Sequence, residues 1–251
     1  MDQAHRQQHY DVRFDWGSAG AKAVAADADV AVIVDVLSFT TALSVAADAG
    51  IAVLPYRWND TTVRRFTDEQ DAVLAVGRSE AGPGEISLSP ATIRTATPPQ
   101  RLVLPSPNGS TIAFELGAKA GVCLGACLRN AQAVAGWISS RHVPGTASVA
   151  VIAAGERWPS GDLRPAVEDL WGAGAVMAAL QAAGWSALSP EAELAMAGYE
   201  AVRGRERHGL MSCASGRELA ERGFGCDVEI ASEVDGSDAV PVLDGHSFVR
   251  Q

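Results

Sequence analysis

Short apolar runs alternate along the first half of the chain with alanine-rich stretches of helical periodicity. This is the pattern of βαβ units, in which a helix carries the chain from one strand back to the next parallel one. The clearest run, Val30 to Val34, holds only Val, Ala and Ile, as suits a strand buried on both faces in mid-sheet. Further strands are expected at Ile51–Pro55, Val73–Val76, Arg101–Leu104, Gly121–Ala126 and Ser148–Ala153. Helices are expected over Thr40–Ala49, Thr61–Glu69, Thr111–Ala118 and Ala131–Ser140. The boundaries carry matching chemistry, with Asn130 and Asp60 as N-caps and Gly50 as a helix end.

The second half is mostly helical. A long alanine-rich pattern runs from Pro165 to Gly184, another helix covers Pro190–Ala201, and Arg203–His208 reads as a polar turn. Ser215 to Glu218 has the form of a capping box, which predicts a helix start there. The expected fold is a single α/β domain over residues 1–251, a mainly parallel or mixed sheet sandwiched by helices. The later helices either cover that sheet or form a smaller lobe, about 161–251 beside 10–160. Gly77–Pro90, rich in Gly, Ser and Pro, is the expected flexible segment.

Polar residues after the strands are the candidates for chemistry, because open α/β sheets bind ligands at the carboxyl ends of their strands. Asp35 ends the first buried run and leads into Ser38, Thr40 and Thr41; as a bare acid after a strand it also reads as a helix cap. Ser106, Asn108 and Gly109 lie in a turn before a helix whose free N–H groups suit an anion. Arg129 and Asn130 place a cation beside another helix start, and Glu156 and Arg157 follow the strand at Ser148–Ala153. Glu168 and Asp169 open the long helix. With Asp35 these acids could hold a hard cation, since Mg²⁺ takes one or two carboxylates together with waters and phosphate oxygens.

Charge limits the partners. Thirty acidic against twenty basic residues, a net charge of −10, argue against nucleic acid and anionic membranes, so an anionic ligand must be met by local cations. The four cysteines read as reduced thiols, and no signal-like start is seen. No uncharged apolar stretch approaches the roughly 20 residues of a membrane span. A cytoplasmic protein with a small anionic substrate is expected, and a homodimer is compatible with this composition. The five histidines lie at the termini or in polar turns, leaving no material for a Ser-His-Asp or zinc-histidine centre. Asp35-Val-Leu lacks the second Asp of the haloacid-dehalogenase pattern, and neither GxxxxGK[ST] nor an early GxGxxG is present.

The order of motifs is recognisable. Asp35-Val-Leu-Ser-Phe-Thr-Thr41, Ser106-Pro-Asn-Gly109, Leu128-Arg-Asn130, Gly155-Glu156, Glu168-Asp-Leu-Trp-Gly-Ala-Gly174 and Cys213-Ala-Ser-Gly-Arg-Glu-Leu219 resemble, in sequence, the 2-phosphosulfolactate phosphatase family. The resemblance spans about Tyr10 to Phe248 and implies a Mg²⁺-dependent phosphatase with that family's own α/β fold, acting on 2-phospho-3-sulfolactate in the route to coenzyme M. On this reading Asp35, Glu168 and Asp169 hold the metal and Glu156 is the general base or a metal neighbour. Arg129 and Arg157 neutralise phosphoryl charge, with Thr40, Thr41, Ser106, Asn108, Gly109 and Asn130 around the substrate. The chain departs from the family at Ser38-Phe39, where the pattern has Arg-Ala, and at Gly84–Pro90, where it has an Asp and an Asn. Those departures remove expected contacts to a sulfonate, which predicts weak discrimination between substrates with and without one. A homologue that binds the anion without turnover is the alternative function.

Overall fold

The computed structural model describes residues 3–57, 60–116 and 121–251. Along the chain run β1 (Val12–Trp16), α1 (Gly17–Val24), β2 (Val30–Val34), α2 (Phe39–Asp48), β3 (Ala52–Arg57), α3 (Val63–Glu69) and β4 (Val73–Leu74). Then come α4 (Pro90–Thr95), β5 (Arg101–Ser106), α5 (Gly109–Leu116), β6 (Val122–Ala126), α6 (Ala131–Arg141), β7 (Val149–Ala153), β8 (Glu156–Arg157) and β9 (Leu163–Arg164). The remainder is α7 (Val167–Ala182), α8 (Pro190–Glu200), α9 (Glu206–Ser212), α10 (Ala214–Glu221), α11 (Gly225–Ala231), β10 (Pro241–Asp244) and β11 (Ser247–Arg250). The expected helix end at Ala118 lies outside the described residues.

Nine strands form one mixed sheet in the order β1-β7-β2-β6-β10-β11-β3-β5-β4. The first four are mutually parallel, as are the last three, and the antiparallel hairpin β10–β11 joins the two blocks. The predicted central strand is confirmed: β2 is fully buried between β7 and β6, which explains why its sequence has no polar alternation. Pairing is antiparallel from β6 to β10, β10 to β11 and β11 to β3, so β3, β5 and β4 run opposite to β2.

A flat sheet would then place the carboxyl ends of β2 and β5 at opposite edges. Curvature brings them together instead. One core cluster holds Ile33 and Ile152 from the first block, Val53, Leu102 and Leu104 from the second, and Phe39, Leu43 and Ile112 from α2 and α5 between them. Both blocks bury side chains on the same two helices, and the turn after β5 arrives beside the end of β2, where the Gly109 N–H donates to Asp35.

The other face carries α6, α7 and α8, whose Val134, Val176, Leu180 and Ala195 share a core with Val32, Val34 and Val151. Leu210 and Val228 from the later helices, with Cys213 between α9 and α10, join that same cluster. Among the described residues no helix is long and apolar enough to cross a membrane.

Several local expectations are corrected. α10 begins at Ala214 with the Cys213 sulfur accepting from the Gly216 N–H, so Ser215 is inside the helix and no capping box forms there. Asn130 precedes α6, but its Oδ1 turns back to the Cys127 N–H and its amide donates to Gly125 and Ala239 carbonyls. α9 begins within the expected turn, at Glu206. Gly77–Pro90 is tied down by an exchange of backbone hydrogen bonds, Val76 to Ile86 and Leu88 to Val76, which overrides its loop-like composition. β1 and the β10–β11 hairpin were missed. Arg13 breaks the apolar pattern of β1 yet is buried, satisfied by Tyr10, Val24 and Asp27. The hairpin had a readable signal in Asp244-Gly245, where Gly245 takes φ 59°.

Candidate active site

The acids gather where β2 and β7 end, and the register makes this necessary. Val34 pairs with Ala153, so Asp35 and Gly155 leave adjacent strands at the same edge. Asp169, in the first turn of α7, joins them: its Oδ1 accepts from the Val36 N–H at 2.7 Å and its Oδ2 from the Gly155 N–H at 2.8 Å. Gly155 has φ 66°, and a Cβ there would lie 2.7 Å from Leu163 Cδ1, so glycine is what lets that N–H face Asp169.

Asp35 sits between two helix starts. The Gly109 N–H donates to its Oδ2 at 2.8 Å, and the Phe39 N–H also holds the carboxylate. The cradle predicted for substrate anion at the start of α5 is therefore spent on the protein itself, with Ser106 Oγ accepting from the Ser110 N–H. Likewise the N–H of Gln132, beyond Asn130, donates to Asp235.

Burial pushes Asp35 up to about 7, with nearby Glu156 adding to the shift. Asp169 is raised well above the ordinary range by burial, then by Asp35 and Glu168. Glu156 is raised by burial and by Glu168, while Asn108 Nδ2, donating to its Oε2 at 3.0 Å, opposes the shift. Glu168 is 2% exposed and lies beside Cys213, whose thiol is pushed up to about 12 by burial and by this carboxylate. These carboxylates repel one another.

Glu156 connects the acids to solvent. With Asn108 it lines a cleft of about 460 Å³, whose edge also carries Ser38, Arg78, Arg157 and Arg164. Sequence reasoning missed Arg78 and Arg164. Arg78 comes from the turn after β4, and Arg164 donates to Ser215 Oγ at 3.1 Å. Both are isolated arginines in unremarkable sequence, and only the curl of the sheet and the β8–β9 hairpin bring them here. Arg78 Nη2 donates to the Leu37 carbonyl, so a cation stands next to Ser38 after all. The absence of Arg at position 38 does not leave that end of the cleft uncharged.

The other predicted residues are placed differently. Thr40 Oγ1 donates to the Asp35 carbonyl and accepts from its N–H, and Thr41 Oγ1 donates to Val36, so both shape the turn from within. Arg129 is not brought to the site. Its guanidinium is buried against Ser44, Asp48 and Glu233 at the far end of α2, a helix of about 15 Å that starts beside Asp35. Asn130 is fully buried and is held by backbone groups and the Cys127 thiol, which donates to its Oδ1.

The donor set fits a hard cation. Asp35, Glu156 and Asp169 offer oxygen donors and are desolvated, and their mutual repulsion would be relieved by positive charge. Among the described residues no three acids, histidines or cysteines form a ready-made metal cage. Mg²⁺ does not require one, since it keeps several waters.

A family model described as 2-phosphosulpholactate phosphatase matches residues 20–246. The chain belongs to that family. Asp35, Glu156 and the Glu168-Asp169 pair all fall within the match, and membership makes the protein a phosphoric monoester hydrolase by class. A relative from Deinococcus radiodurans, named as a probable 2-phosphosulfolactate phosphatase, is 29% identical over 221 residues, covering 86% of this chain and 88% of the relative.

Proposed function

We propose that this protein hydrolyses 2-phosphosulfolactate or a closely related phosphorylated 2-hydroxy acid, with Mg²⁺ as cofactor. The observation that carries the reading is the convergence of Asp35, Glu156, Glu168 and Asp169 at the ends of β2 and β7, under a cleft edged by arginines. The family and the Deinococcus relative support the choice of substrate.

A bound Mg²⁺ would polarise the phosphoryl oxygens and offset the charge of the acids. Asp35 and Glu168 would hold it. Asp169, with both oxygens on backbone N–H groups, would fix the spacing between the β2 and β7 ends. Glu156, oriented by Asn108, would take a proton from the attacking water. The water oxygen bonds to phosphorus as the bond from phosphorus to the ester oxygen breaks. The departing alkoxide takes the proton from Glu156 and leaves as the alcohol. Arg157 and Arg164 would counter charge on the equatorial oxygens.

The experiment is phosphate release from a panel of phosphate esters with and without Mg²⁺. Mg²⁺-dependent release, fastest for 2-phosphosulfolactate and its near analogues, is expected. Release from none of them at any Mg²⁺ concentration would overturn the reading in favour of a binding protein.

A further inference from the structure

We infer that Arg78 is the residue that reads the acidic group the substrate carries besides its phosphoryl group, an inference that rests on the phosphatase reading above. Arg78 lines the cleft with Ser38, Asn108 and Glu156. Its Nε donates to Asp227 Oδ2 at 2.9 Å and its Nη2 to the Leu37 carbonyl at 2.9 Å. Asp227 is 2% exposed and accepts from Ser89 Oγ on its other oxygen. The guanidinium is thereby clamped on two sides, by α11 and by the turn after β2.

A clamped arginine on a cleft wall differs from a surface one. A guanidinium carries five N–H donors, and no acceptor among the described residues meets Nη1 of Arg78. The planar fork matches the oxygens of a carboxylate or sulfonate, and its ordering is supplied by the protein before a ligand arrives. Arg78 is near enough to Asp35 for its charge to be felt by that carboxyl, but its anchors set it apart from the acids. The reacting phosphorus must lie at Asp35 and Glu156, whereas Arg78 bonds to neither and is anchored at Leu37 and Asp227. In an ester of a 2-hydroxy acid the second acid group lies only a few bonds from the phosphorus, a short reach within this cleft. Asp227 is a positioning residue: among the described residues its carboxylate hydrogen-bonds Arg78, Ser89 and the neighbouring Cys226.

The test is calorimetric binding of 3-sulfolactate, lactate and inorganic phosphate to the full-length protein and to Arg78→Met, Arg78→Lys and Asp227→Asn. Arg78→Met should weaken 3-sulfolactate binding about tenfold to a hundredfold more than phosphate binding, the scale of a charge-assisted hydrogen bond. Arg78→Lys keeps a charge opposite Asp227 and should lose less, with the same selectivity. Asp227→Asn should show that selectivity in weaker form. A selective loss for lactate as well identifies the carboxylate as the group read; a loss confined to 3-sulfolactate identifies the sulfonate. Equal losses for 3-sulfolactate and phosphate, no loss at all, or a wild-type protein that does not bind 3-sulfolactate would overturn the inference. Failure of the phosphatase reading appears separately, as absence of phosphate release by a wild-type protein that still binds these anions.

Discussion

The backbone N–H of Gly109 donates to Oδ2 of Asp35 at 2.8 Å, joining the start of α5 to the end of β2 across 74 positions. A Cβ at residue 109 would lie 2.6 Å from that same oxygen and 3.0 Å from the Phe39 Cβ. Gly109→Ala must therefore push Asp35 or α5 aside. Turnover should fall by about a hundredfold, because misplacement by a fraction of an ångström is costly in a preorganised site. Steady-state phosphate release with a parallel thermal melt is the check; a variant within a few fold of wild type would mean that the contact does not set the geometry.

Replacing Asp35 by Asn keeps the shape and removes the charge. Turnover should drop by about two orders of magnitude or more, as when one electrostatic element of a site is deleted. The fold should hold, since a charge that is desolvated and repelled by Glu156 is removed. Near-normal turnover would reduce Asp35 to a cap on α2.

Asp35 should also couple stability to pH and metal. An acid raised to about 7 when folded keeps its proton while the unfolded chain has already lost one, so its contribution to stability declines as pH rises from about 4 to about 7. Asp169 is shifted in the same direction. Metal-free protein should therefore melt lower at pH 7.5 than at pH 5.5. Added Mg²⁺ should raise the melting temperature more at pH 7.5, where Asp35 is ionised. Scanning calorimetry at the two pH values decides it, and an equal metal effect at both would remove Asp35 from the metal site.

Glu156 should govern the acidic limb of the rate profile. A base must be ionised to act, and burial together with Glu168 raises this carboxyl above the ordinary glutamate range. Glu156→Gln should lower kcat by about 10² to 10⁴ and flatten that limb. A pH profile of kcat that keeps its shape in the variant would assign the base elsewhere.

What the sequence made legible followed from periodicity and from position after a strand. The uniform burial of Val30–Val34 made β2 and Asp35 readable. Gly155 was readable as a glycine after a strand, and the Glu168-Asp169 pair as acids in the first turn of a long helix. Arg78 was not, because its place depends on a tertiary partner 149 positions away in Asp227. Arg129 misled for the complementary reason. A cation at a helix start suggests an anion nearby, but here Asp48 and Glu233 from distant segments supply it. Thr40, Thr41 and Ser106 show a further limit: local sequence reveals a hydroxyl near a site, while only packing decides whether it faces ligand or backbone.

The β10–β11 hairpin carries a consequence for how the protein comes into being. It fills the centre of the sheet, yet along the chain it comes after every other strand of that sheet. Until residue 250 has left the ribosome, β6 and β3 each present an open edge, the kind of surface on which nascent chains pair with one another. The two strand blocks that frame the cleft can be held in register only after translation has passed this point. Assembly is thereby dominated by sequence-distant contacts, which slows it, and a chain truncated before Pro241 is a candidate for aggregation.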